Sequence, residues 1–373
     1  MKRAIEEQIK KDLDEKIVLL SGPRQVGKTT ISKMVFPGNF EYFNLDSGKD
    51  RLIIKKEAWK KDCDLIIFDE LHKMKNWKRW LKGIYDTQGV RPRIFVTGSS
   101  RLDTYRKGGD SLAGRFFYFR LHPFSVAEVK DSFKPDVALD RIMKVGGFPE
   151  PFLKESTVAA KRWQKTHVDR IIKEDIFDIS SPHNIRGIET LVELLRQCVG
   201  SPIAYDSLAR DLEVSAPTIK QWIKILESLY VIFMVTPYSK NIARSLKKQP
   251  KIYFYDTGYV KDDPGARLEN AVAGALLKRL HYLEDTQGER CALHYLKDKE
   301  KREVDLLTVR DGQPEKLIEV KVADSDIKNL AYFLNLLPTT VDSLVLVKNL
   351  VREQDQGKIK IRKAANWLSQ LEA

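Results

Sequence analysis

The sequence predicts an α/β protein of two or three domains, and three observations support this prediction. Short apolar runs alternate with helical patterns over residues 1–130, as in a parallel sheet built from β/α units. A small helical module follows from about residue 200, and a further set of helices and strands begins near residue 263. At 373 residues the chain is also too long for one small hydrophobic core.

The composition narrows the classes of partner. The chain is 42% hydrophobic and 31% charged, which is typical of a globular protein and argues against a disordered one. Its formal net charge of +13 favours a polyanionic partner, nucleic acid before membrane. A lysine-rich surface that is merely solvated is the alternative, and it explains the runs Lys55–Lys56 and Lys60–Lys61 better than a binding site does.

Cysteine usage and hydropathy predict the compartment. Cys63, Cys198 and Cys291 lie far apart and form no C-x-x-C pair, so we predict neither a disulfide framework nor a zinc site. No apolar run approaches the roughly 20 residues that a helix needs to cross a bilayer. The polar start of the chain also lacks the apolar segment of a signal peptide. We therefore expect a cytoplasmic protein with no membrane partner.

Five strands are predicted in the first third of the chain. Each of the first four runs directly into a polar or glycine-containing segment, and in a parallel sheet these segments meet at one edge, where ligands bind. This arrangement is the first indication of a nucleotide site. The predicted strands are Ile17–Leu20, Tyr42–Leu45, Leu65–Phe68, Ile94–Thr97 and Phe116–Leu121.

The segment after the first strand fits the pattern G-x-x-x-x-G-K-[ST] and is followed by a helical pattern. Its glycines let the backbone wrap closely around phosphate oxygens and present N–H groups to them. Lys28 would neutralise the β- and γ-phosphates of ATP, and the Thr29 hydroxyl would bind Mg²⁺, so ATP and Mg²⁺ are the predicted cofactors. The predicted nucleotide contacts are Gly22, Pro23, Arg24, Gln25, Val26, Gly27, Lys28, Thr29 and Thr30.

Acidic residues at the end of the third strand complete the predicted site. The predicted strand Leu65–Phe68 places Asp69 where it can bind Mg²⁺, directly or through water, and the adjacent Glu70 can polarise the attacking water. Adjacent Asp and Glu residues favour hydrolysis over phosphotransfer to another substrate. On this interpretation Lys28, Asp69 and Glu70 are catalytic.

Two further catalytic candidates come from neighbouring segments. Gly98-Ser99-Ser100 ends the fourth strand, and the Ser99 hydroxyl could bond the water or the γ-phosphate; Ser100 is an equal candidate, and helix-capping serines are the alternative. Arg115 precedes the fifth strand and could reach the γ-phosphate of a neighbouring subunit. An ordinary surface arginine is the alternative for Arg115.

Residues 205–223 have the pattern of a helix-turn-helix. Ser215 is a good N-cap, and Ile219 and Ile223 would face the core of the second helix. A basic stretch, Lys240–Lys251, then reads as a wing that could follow a DNA backbone. A role in docking a protein partner is the alternative. The predicted DNA contacts are Thr218, Lys220, Gln221, Lys224, Lys240, Arg244, Lys247 and Lys248.

Near the end of the chain, a strand hairpin is predicted from Glu303–Val309 and Lys316–Lys321, with Asp311-Gly312 in the turn. Because side chains alternate across a strand, Glu319 and Lys321 would share a face, with Asp305 on the partner strand. Glu269 would point inward from a preceding helix.

Glu269, Asp305, Glu319 and Lys321 could together hold a divalent metal and activate water for phosphodiester cleavage. The alternative is a buried salt-bridge cluster in a nuclease-like scaffold that no longer cleaves.

Taken in order, these segments resemble a widespread prokaryotic family of AAA-type ATPases, in which an AAA domain precedes a C-terminal domain of unknown function with a restriction-endonuclease-like fold. Tyr259 departs from the aliphatic residue expected after Asp-Thr-Gly. The segments that carry the resemblance are Gly22–Thr29, Asp69–His72, Thr97–Ser100, Leu112–Arg115, Gly146–Glu150, Pro250–Gly258, Leu268–Asn270, Glu303–Asp305 and Ile318–Lys321.

The resemblance implies an ASCE-type P-loop NTPase sheet, an all-α and winged-helix middle, and an α/β PD-(D/E)XK nuclease-like end, often assembled as homo-oligomeric rings such as hexamers. The corresponding domains would be residues 1–130, a helical lid or linker at 131–199, the winged helix at 200–262 and the nuclease-like domain at 263–373.

The leading hypothesis is an ATPase that acts on DNA, as a motor or remodeller in repair, recombination or defence. A nucleotide-switched signalling or partner-remodelling ATPase with a silent nuclease-like domain is the alternative. An active metal-dependent nuclease is the third possibility.

Overall fold

The computed structural model describes residues 1–60, 62–98, 112–171, 183–239, 249–323 and 326–371. The chain divides into two compact units. Unit 1 comprises Met1–His122 with Ser228–Tyr230 and Asp285–Gln287, and unit 2 comprises Pro123–Glu227, Val231–Glu284 and Gly288–Ala373. Among the described helices, none combines the length and the apolar character needed to cross a membrane.

Unit 1 is built on a five-stranded, fully parallel sheet in the order β2-β3-β4-β1-β5. All five predicted strands form, with ends that differ from the prediction by at most two residues. The strands are β1 (Ile17–Ser21), β2 (Phe40–Asn44), β3 (Leu65–Asp69), β4 (Arg93–Thr97) and β5 (Phe116–Arg120). The described helices are α1 (Glu6–Asp12), α2 (Lys28–Val35), α3 (Gly48–Lys56) and α4 (Trp77–Gln88).

Continuous apolar runs explain why β1 and β3 occupy central positions. Every residue of both strands is buried, which is typical of parallel strands covered on both faces. On one face of the sheet, Phe68 of β3 contacts the rings of Trp59 and Trp80 at centroid distances of 5.7 and 5.3 Å. Phe68 and Trp59 are buried, and each such side chain contributes about 2–3 kcal/mol through the area it removes from water.

The strand register brings the predicted catalytic residues to one edge of the sheet. Asp69 at the end of β3 pairs with Thr97 at the end of β4, and Thr97 pairs with Leu20 near the end of β1. Three adjacent strands therefore end at the same level, and the loop from Gly22 begins there.

Unit 2 contains a mixed eight-stranded sheet in the order β12-β13-β11-β10-β9-β8-β6-β7. Its strands are β6 (Ile232–Pro237), β7 (Lys251–Phe254), β8 (Cys291–Lys297), β9 (Glu303–Arg310), β10 (Gln313–Lys321), β11 (Asp342–Val347), β12 (Gln354–Gln356) and β13 (Ile359–Lys363). The described helices are α5 (Val126–Val129), α6 (Pro135–Val145), α7 (Pro149–Lys154), α8 (Thr157–Arg170), α9 (His183–Leu195), α10 (Tyr205–Asp211), α11 (Ala216–Ser228), α12 (Pro264–Gln287), α13 (Lys328–Leu334) and α14 (Ala364–Ser369).

The helix pair α10 and α11 forms where the helix-turn-helix pattern predicts it. The Ser215 hydroxyl accepts the backbone N–H of Thr218 at 3.3 Å, and Ile219 and Ile223 are buried. The antiparallel pair β6 and β7 follows these helices, and β6 also pairs in parallel with β8. The two strands after the helix pair are therefore part of the same sheet as the C-terminal strands.

The predicted hairpin also forms. Strands β9 and β10 pair antiparallel, and the turn residues Asp311 and Gly312 have φ angles of 47° and 78°. Two consecutive left-handed residues are typical of a two-residue hairpin turn, in which aspartate and glycine are favoured. The preceding helix α12 begins at an Asp263 N-cap, whose carboxylate accepts the N–H of Ala266 at 2.7 Å.

The Gly-Gly-Phe-Pro and Asp-Thr-Gly segments of unit 2 pack directly on each other. Gly146 has a φ of 89°, and a Cβ atom there would lie 1.8 Å from Asp256 Oδ1. Asp256 is buried and accepts the N–H of Gly258 at 3.2 Å, and its burial raises its pKa to about 7. Glycine is required at position 146 because the Asp256 carboxylate fills the space that a side chain would need.

Candidate functional site

The loop between β1 and α2 has the backbone of a phosphate-binding loop. Gly22 has a φ of 142°, and a Cβ atom there would lie 2.3 Å from the Leu121 carbonyl oxygen. Gln25 and Gly27 also lie in the left-handed region, with φ angles of 61° and 104°, and Gly27 is the N-cap of α2. A chain that turns in this way onto a helix N-terminus exposes N–H groups suited to an anion.

Lys28 lies within this loop. Its side chain is buried, with 7% of the residue exposed, and Nζ donates to the carbonyl oxygens of Gly22 and Pro23 at 2.9 and 2.7 Å. The ammonium group is therefore held where phosphate oxygens would approach the loop. Neutral carbonyl groups are weaker partners for an ammonium group than phosphate oxygens, so the arrangement fits an ATP phosphate chain.

Four donors fix the carboxylate of Asp69. Thr29 Oγ1 and the Tyr42 hydroxyl donate to Oδ2 at 2.8 and 2.7 Å. Thr97 Oγ1 and the Glu70 N–H donate to Oδ1 at 2.5 and 3.1 Å. Burial, and then the Asp69 carboxylate, raise the pKa of Tyr42, so its hydroxyl remains a donor. Thr29 and Asp69, the two predicted Mg²⁺ ligands, are thus brought into contact.

Glu70 lies beside this pair in a left-handed backbone conformation, with a φ of 58°. Its N–H also donates to the Thr97 carbonyl at 2.9 Å. Burial raises the pKa of Glu70, while the positive charge of Lys28 opposes that shift. Glu70 Oε2 lies 3.5 Å from His72 Nε2 and has no hydrogen-bond partner within the described residues. A buried carboxylate oxygen of this kind is suited to accept a hydrogen bond from water or substrate.

The other predicted residues of the nucleotide site differ in how they are placed. Arg24 and Val26 belong to the loop, and Thr30 is exposed on α2. Ser99 and Ser100 lie outside the described residues. Tyr42, Thr97 and His72 contribute contacts that the sequence pattern did not predict. Thr97 lies beside Asp69 because of the register of β3 and β4, which the sequence pattern does not give.

Arg115 occupies the opposite end of the sheet. Its guanidinium pairs with Asp86 of α4, with Nε 2.6 Å from Oδ1 and Nη2 3.3 Å from Oδ2. It precedes β5, whose first residue pairs with Ile17 at the start of β1. A five-residue strand spans about 17 Å, so Arg115 cannot reach the P-loop of its own subunit. Arg115 could therefore act in catalysis only at the P-loop of a neighbouring subunit, which is the contact that the sequence predicts.

The predicted DNA-binding residues of α11 face solvent. Lys220, Gln221 and Lys224 are exposed, and Thr218 is half-buried. Lys220 Nζ lies 5.1 Å from the centre of the Tyr205 ring, which supports its position through a cation–π contact. Lys240, Arg244, Lys247 and Lys248 lie outside the described residues.

The prediction that the basic stretch as far as Lys251 contacts DNA is wrong for Lys251. This residue is the first of β7, and only 1% of its surface is exposed. Its Nζ lies 2.8 Å from Glu303 Oε1, 3.2 Å from Glu269 Oε1 and 3.7 Å from Asp305 Oδ1. The side chain points into the protein because these three carboxylates attract its charge.

The predicted C-terminal carboxylates do lie together around Lys251. The Tyr253 hydroxyl donates to Glu269 Oε1 at 2.6 Å, and Asp305 Oδ2 accepts the Val320 N–H at 2.8 Å. Glu319 and Lys321 share a face of β10, with Oε1 and Nζ 2.8 Å apart. We call this set the carboxylate cluster; its members are Lys251, Tyr253, Glu269, Glu303, Asp305, Glu319 and Lys321.

Burial dominates the electrostatics of the carboxylate cluster. Burial, followed by the charge of Asp305, raises the pKa of both Glu269 and Glu319 to about 7. Burial also raises the pKa of Asp305, while Lys251 opposes the shift. Within the described part of the chain, no three or more His, Cys, Asp or Glu side chains form a group that could hold a metal ion. The cluster with Lys251 in place therefore does not fit the predicted divalent metal.

The sequence pattern did not identify Lys251, Tyr253 and Glu303 as members of the carboxylate cluster. Lys251 and Tyr253 are two residues apart on β7, so their side chains lie on the same face of the strand. The strand pattern of the sequence could have indicated this shared face. The neighbouring basic residues obscured it, since Lys251 reads as the last member of a solvated basic stretch.

Comparison with known families agrees with this architecture. Residues 14–130 match the family described as AAA domain. These matched residues are similar to AAA domains, and they carry the five-stranded parallel sheet of unit 1. Residues 264–365 match a domain of unknown function (DUF4143), so this C-terminal domain is present, and residues 137–261 match a second domain of unknown function (DUF8612).

Similar proteins include uncharacterized protein Rv2008c of Mycobacterium tuberculosis, which is 28% identical over 245 residues that make up 65% of this chain and 54% of the relative. The chain thus spans about half the length of that relative. Uncharacterized protein MJ1637 of Methanocaldococcus jannaschii is 25% identical over 337 residues, covering 73% of this chain and 70% of the relative.

Solved structures give weaker likenesses. A variant of Thermotoga maritima RuvB aligns with 65% of this chain and 94% of its own at 18% identity and a TM-score of 0.32. A Signal Transduction ATPase with Numerous Domains from Pyrococcus horikoshii aligns with 77% of this chain and 48% of its own at 12% identity and a TM-score of 0.24. TM-scores this low do not establish a shared fold.

Proposed function

We propose that this protein hydrolyses ATP at the loop Gly22–Thr29 and uses the hydrolysis cycle to act on DNA. The observation that carries the ATPase proposal is the contact between Thr29 Oγ1 and Asp69 Oδ2 at 2.8 Å, beside Lys28 and Glu70. These are the groups that phosphoryl transfer to water needs, gathered at one edge of a parallel sheet.

The residues divide the chemistry among them. Lys28 would exchange the carbonyl oxygens of Gly22 and Pro23 for phosphate oxygens. Thr29 and Asp69 would hold Mg²⁺, which neutralises charge on the phosphates when bound. Glu70 would orient the attacking water through Oε2, which has no hydrogen-bond partner among the described residues, and would accept the water's proton. Thr97 and Tyr42 are positioning residues, because they act through Asp69.

Substitution of Glu70 by Gln should separate binding from hydrolysis. The amide keeps the shape of the side chain but cannot accept a proton, so ATP hydrolysis should fall by at least about 100-fold. Binding of a fluorescent ATP analogue should stay within about threefold of the parent, whereas Lys28→Ala should weaken it strongly. Measurements of turnover and binding on both variants test this assignment, and wild-type turnover by Glu70→Gln would refute the role of Glu70.

We propose a homo-oligomeric enzyme, with a ring such as a hexamer as its form, because Arg115 lies too far from the P-loop of its own subunit to act there. An arginine that stabilises transition-state charge from a neighbouring subunit is worth about a thousandfold or more in turnover. Such a role needs an interface that places the amino-terminal end of one sheet against the P-loop of the next subunit.

Arg115→Ala should therefore preserve ATP binding and lower turnover by about 10³ in the purified oligomer. Asp86→Ala is the matched control, because it removes the partner of Arg115 but keeps the arginine. We expect Asp86→Ala to retain most of the turnover. Equal losses in the two variants would show that the intramolecular ion pair matters and would exclude catalysis by Arg115 between subunits.

The proposed action on DNA rests on charge and on the exposed face of α11. The net charge is +13, and Lys220 and Lys224 lie one turn apart on a helix whose opposite face is buried. The basic residues at 240–248 lie in sequence between β6 and β7, as a wing would. Nuclease activity is not part of the proposal, because Lys251 lies among the carboxylates. A nucleotide-switched protein that docks a protein partner through α11 is the alternative.

Replacing Lys220 and Lys224 together by Ala should weaken DNA binding and reduce its salt dependence. Each lost phosphate contact lowers the slope of log K against log salt by about 0.9, so the double variant should lose about 1.8. Lys299→Ala, at an exposed turn before β9, is the control that changes charge elsewhere in unit 2. Binding isotherms for duplex and single-stranded DNA at several salt concentrations provide the measurement. An unchanged slope in the double variant would exclude these two lysines as phosphate contacts.

A further inference from the structure

We propose that Lys251 takes the place of a divalent cation in the carboxylate cluster of unit 2 and keeps such a cation out. This inference concerns unit 2 alone and does not depend on the proposed ATPase or its action on DNA. It assigns to Lys251 a role that neither the basic stretch nor the carboxylate pattern indicates.

The ammonium group of Lys251 lies among carboxylates. Lys251 Nζ lies within 3.7 Å of oxygens from Glu269, Glu303 and Asp305, which come from the helix α12 and the strand β9. A lysine ammonium group is a compact charge with three donors, and here three carboxylates surround it. A divalent ion bound by the same oxygens would need the same space.

Backbone pairing holds Lys251 in the sheet. Its backbone pairs with Val235 in β6 and forms an isolated bridge with Pro202. The next residues of β7, Ile252, Tyr253 and Phe254, are fully buried. Lys251 cannot move away from the carboxylates without disrupting this ladder or leaving its charge unpaired among buried residues, which is strongly unfavourable. The lysine is therefore a fixed part of the cluster.

The carboxylate cluster has a net negative charge even with Lys251 in place. Four carboxylates, Glu269, Glu303, Asp305 and Glu319, face three ammonium groups, because Lys297 pairs with Glu303 and Lys321 with Glu319. One negative charge remains in excess when all these groups are ionised. The side chain of Glu319 is only 7% exposed, and its Oε2 has no hydrogen-bond partner within the described residues.

Removing Lys251 would double this excess charge and vacate the space between the carboxylates. A cation of higher charge is then the group that best satisfies the oxygens of Glu269, Glu303 and Asp305, since hard oxygen ligands favour Mg²⁺, Mn²⁺ and lanthanide ions. Gly200 leaves room for this arrangement, because a Cβ atom there would lie 2.8 Å from Glu269 Oε2. Lys251 is thus the residue that separates a closed ionic cluster from a metal site.

The test measures Tb³⁺ luminescence, which nearby tyrosines sensitise; the Tyr253 hydroxyl lies 2.6 Å from Glu269. All proteins comprise residues 1–373 and carry Asp69→Asn, so that the proposed nucleotide site lacks its carboxylate. We expect no Asp305-dependent Tb³⁺ binding in this parent protein. Adding Lys251→Met should create one new equivalent of binding, at least tenfold tighter than any other bound Tb³⁺, that Mn²⁺ displaces. Further addition of Asp305→Asn should abolish it, and Lys251→Arg, which keeps a cation, should not create it.

A second readout is thermal stability. In the presence of a chelator, Lys251→Met should melt at a lower temperature than the parent, and Mn²⁺ should raise its melting temperature but not that of the parent. A folded Lys251→Met protein that gains neither Tb³⁺ binding nor stabilisation by Mn²⁺ overturns the proposal. If Lys251→Met does not fold, the parent decides the question. Asp305-dependent Tb³⁺ binding in the parent overturns the proposal, and its absence supports it.

Discussion

The proposed nucleotide site depends on how firmly the carboxylate of Asp69 is held. Its donors come from the helix α2, the strands β2 and β4, and the adjacent peptide N–H. Hydrogen bonds to an ionised acceptor are stronger than neutral ones, so they fix the carboxylate beside Thr29. The sheet order β2-β3-β4-β1 makes these contacts possible, since strands on both sides of β3 end at the same level. A one-residue slip of β3 would turn Asp69 to the opposite face and dismantle the site.

Two buried lysines illustrate how the surroundings decide what a charge can do. Lys28 is held by two neutral carbonyl groups of its own loop, which phosphate oxygens can replace. Lys251 lies among three carboxylates on a strand paired within the sheet, so a ligand cannot displace these partners as phosphate could displace the carbonyl groups around Lys28. The first arrangement suits a site that binds and releases nucleotide. The second suits a permanent ionic link between the helix α12 and the strands β7 and β9.

Much of unit 1 could be predicted from the sequence because its signals are local. The apolar runs of β1 and β3, the glycines of the P-loop and the acidic strand end each follow from a few adjacent residues. Thr97 and Tyr42 could not be recognised as donors to Asp69, because their role depends on strand register. The prediction that Lys251 is exposed to DNA is wrong for a similar reason. Neighbouring basic residues indicate a solvated surface, whereas the partners of Lys251, Glu269 and Glu303, lie 18 and 52 positions away in the sequence.

Steady-state ATP hydrolysis with and without single-stranded, duplex and four-way-junction DNA would show whether the protein is an ATPase that acts on DNA. Each reaction is run at two salt concentrations, with Glu70→Gln as the control for contaminating activity. If the protein acts on DNA, at least one DNA structure should stimulate hydrolysis, and higher salt should weaken the stimulation, because phosphate contacts release counterions. Robust hydrolysis that no DNA changes at either salt concentration would contradict the proposed action on DNA and favour a protein partner.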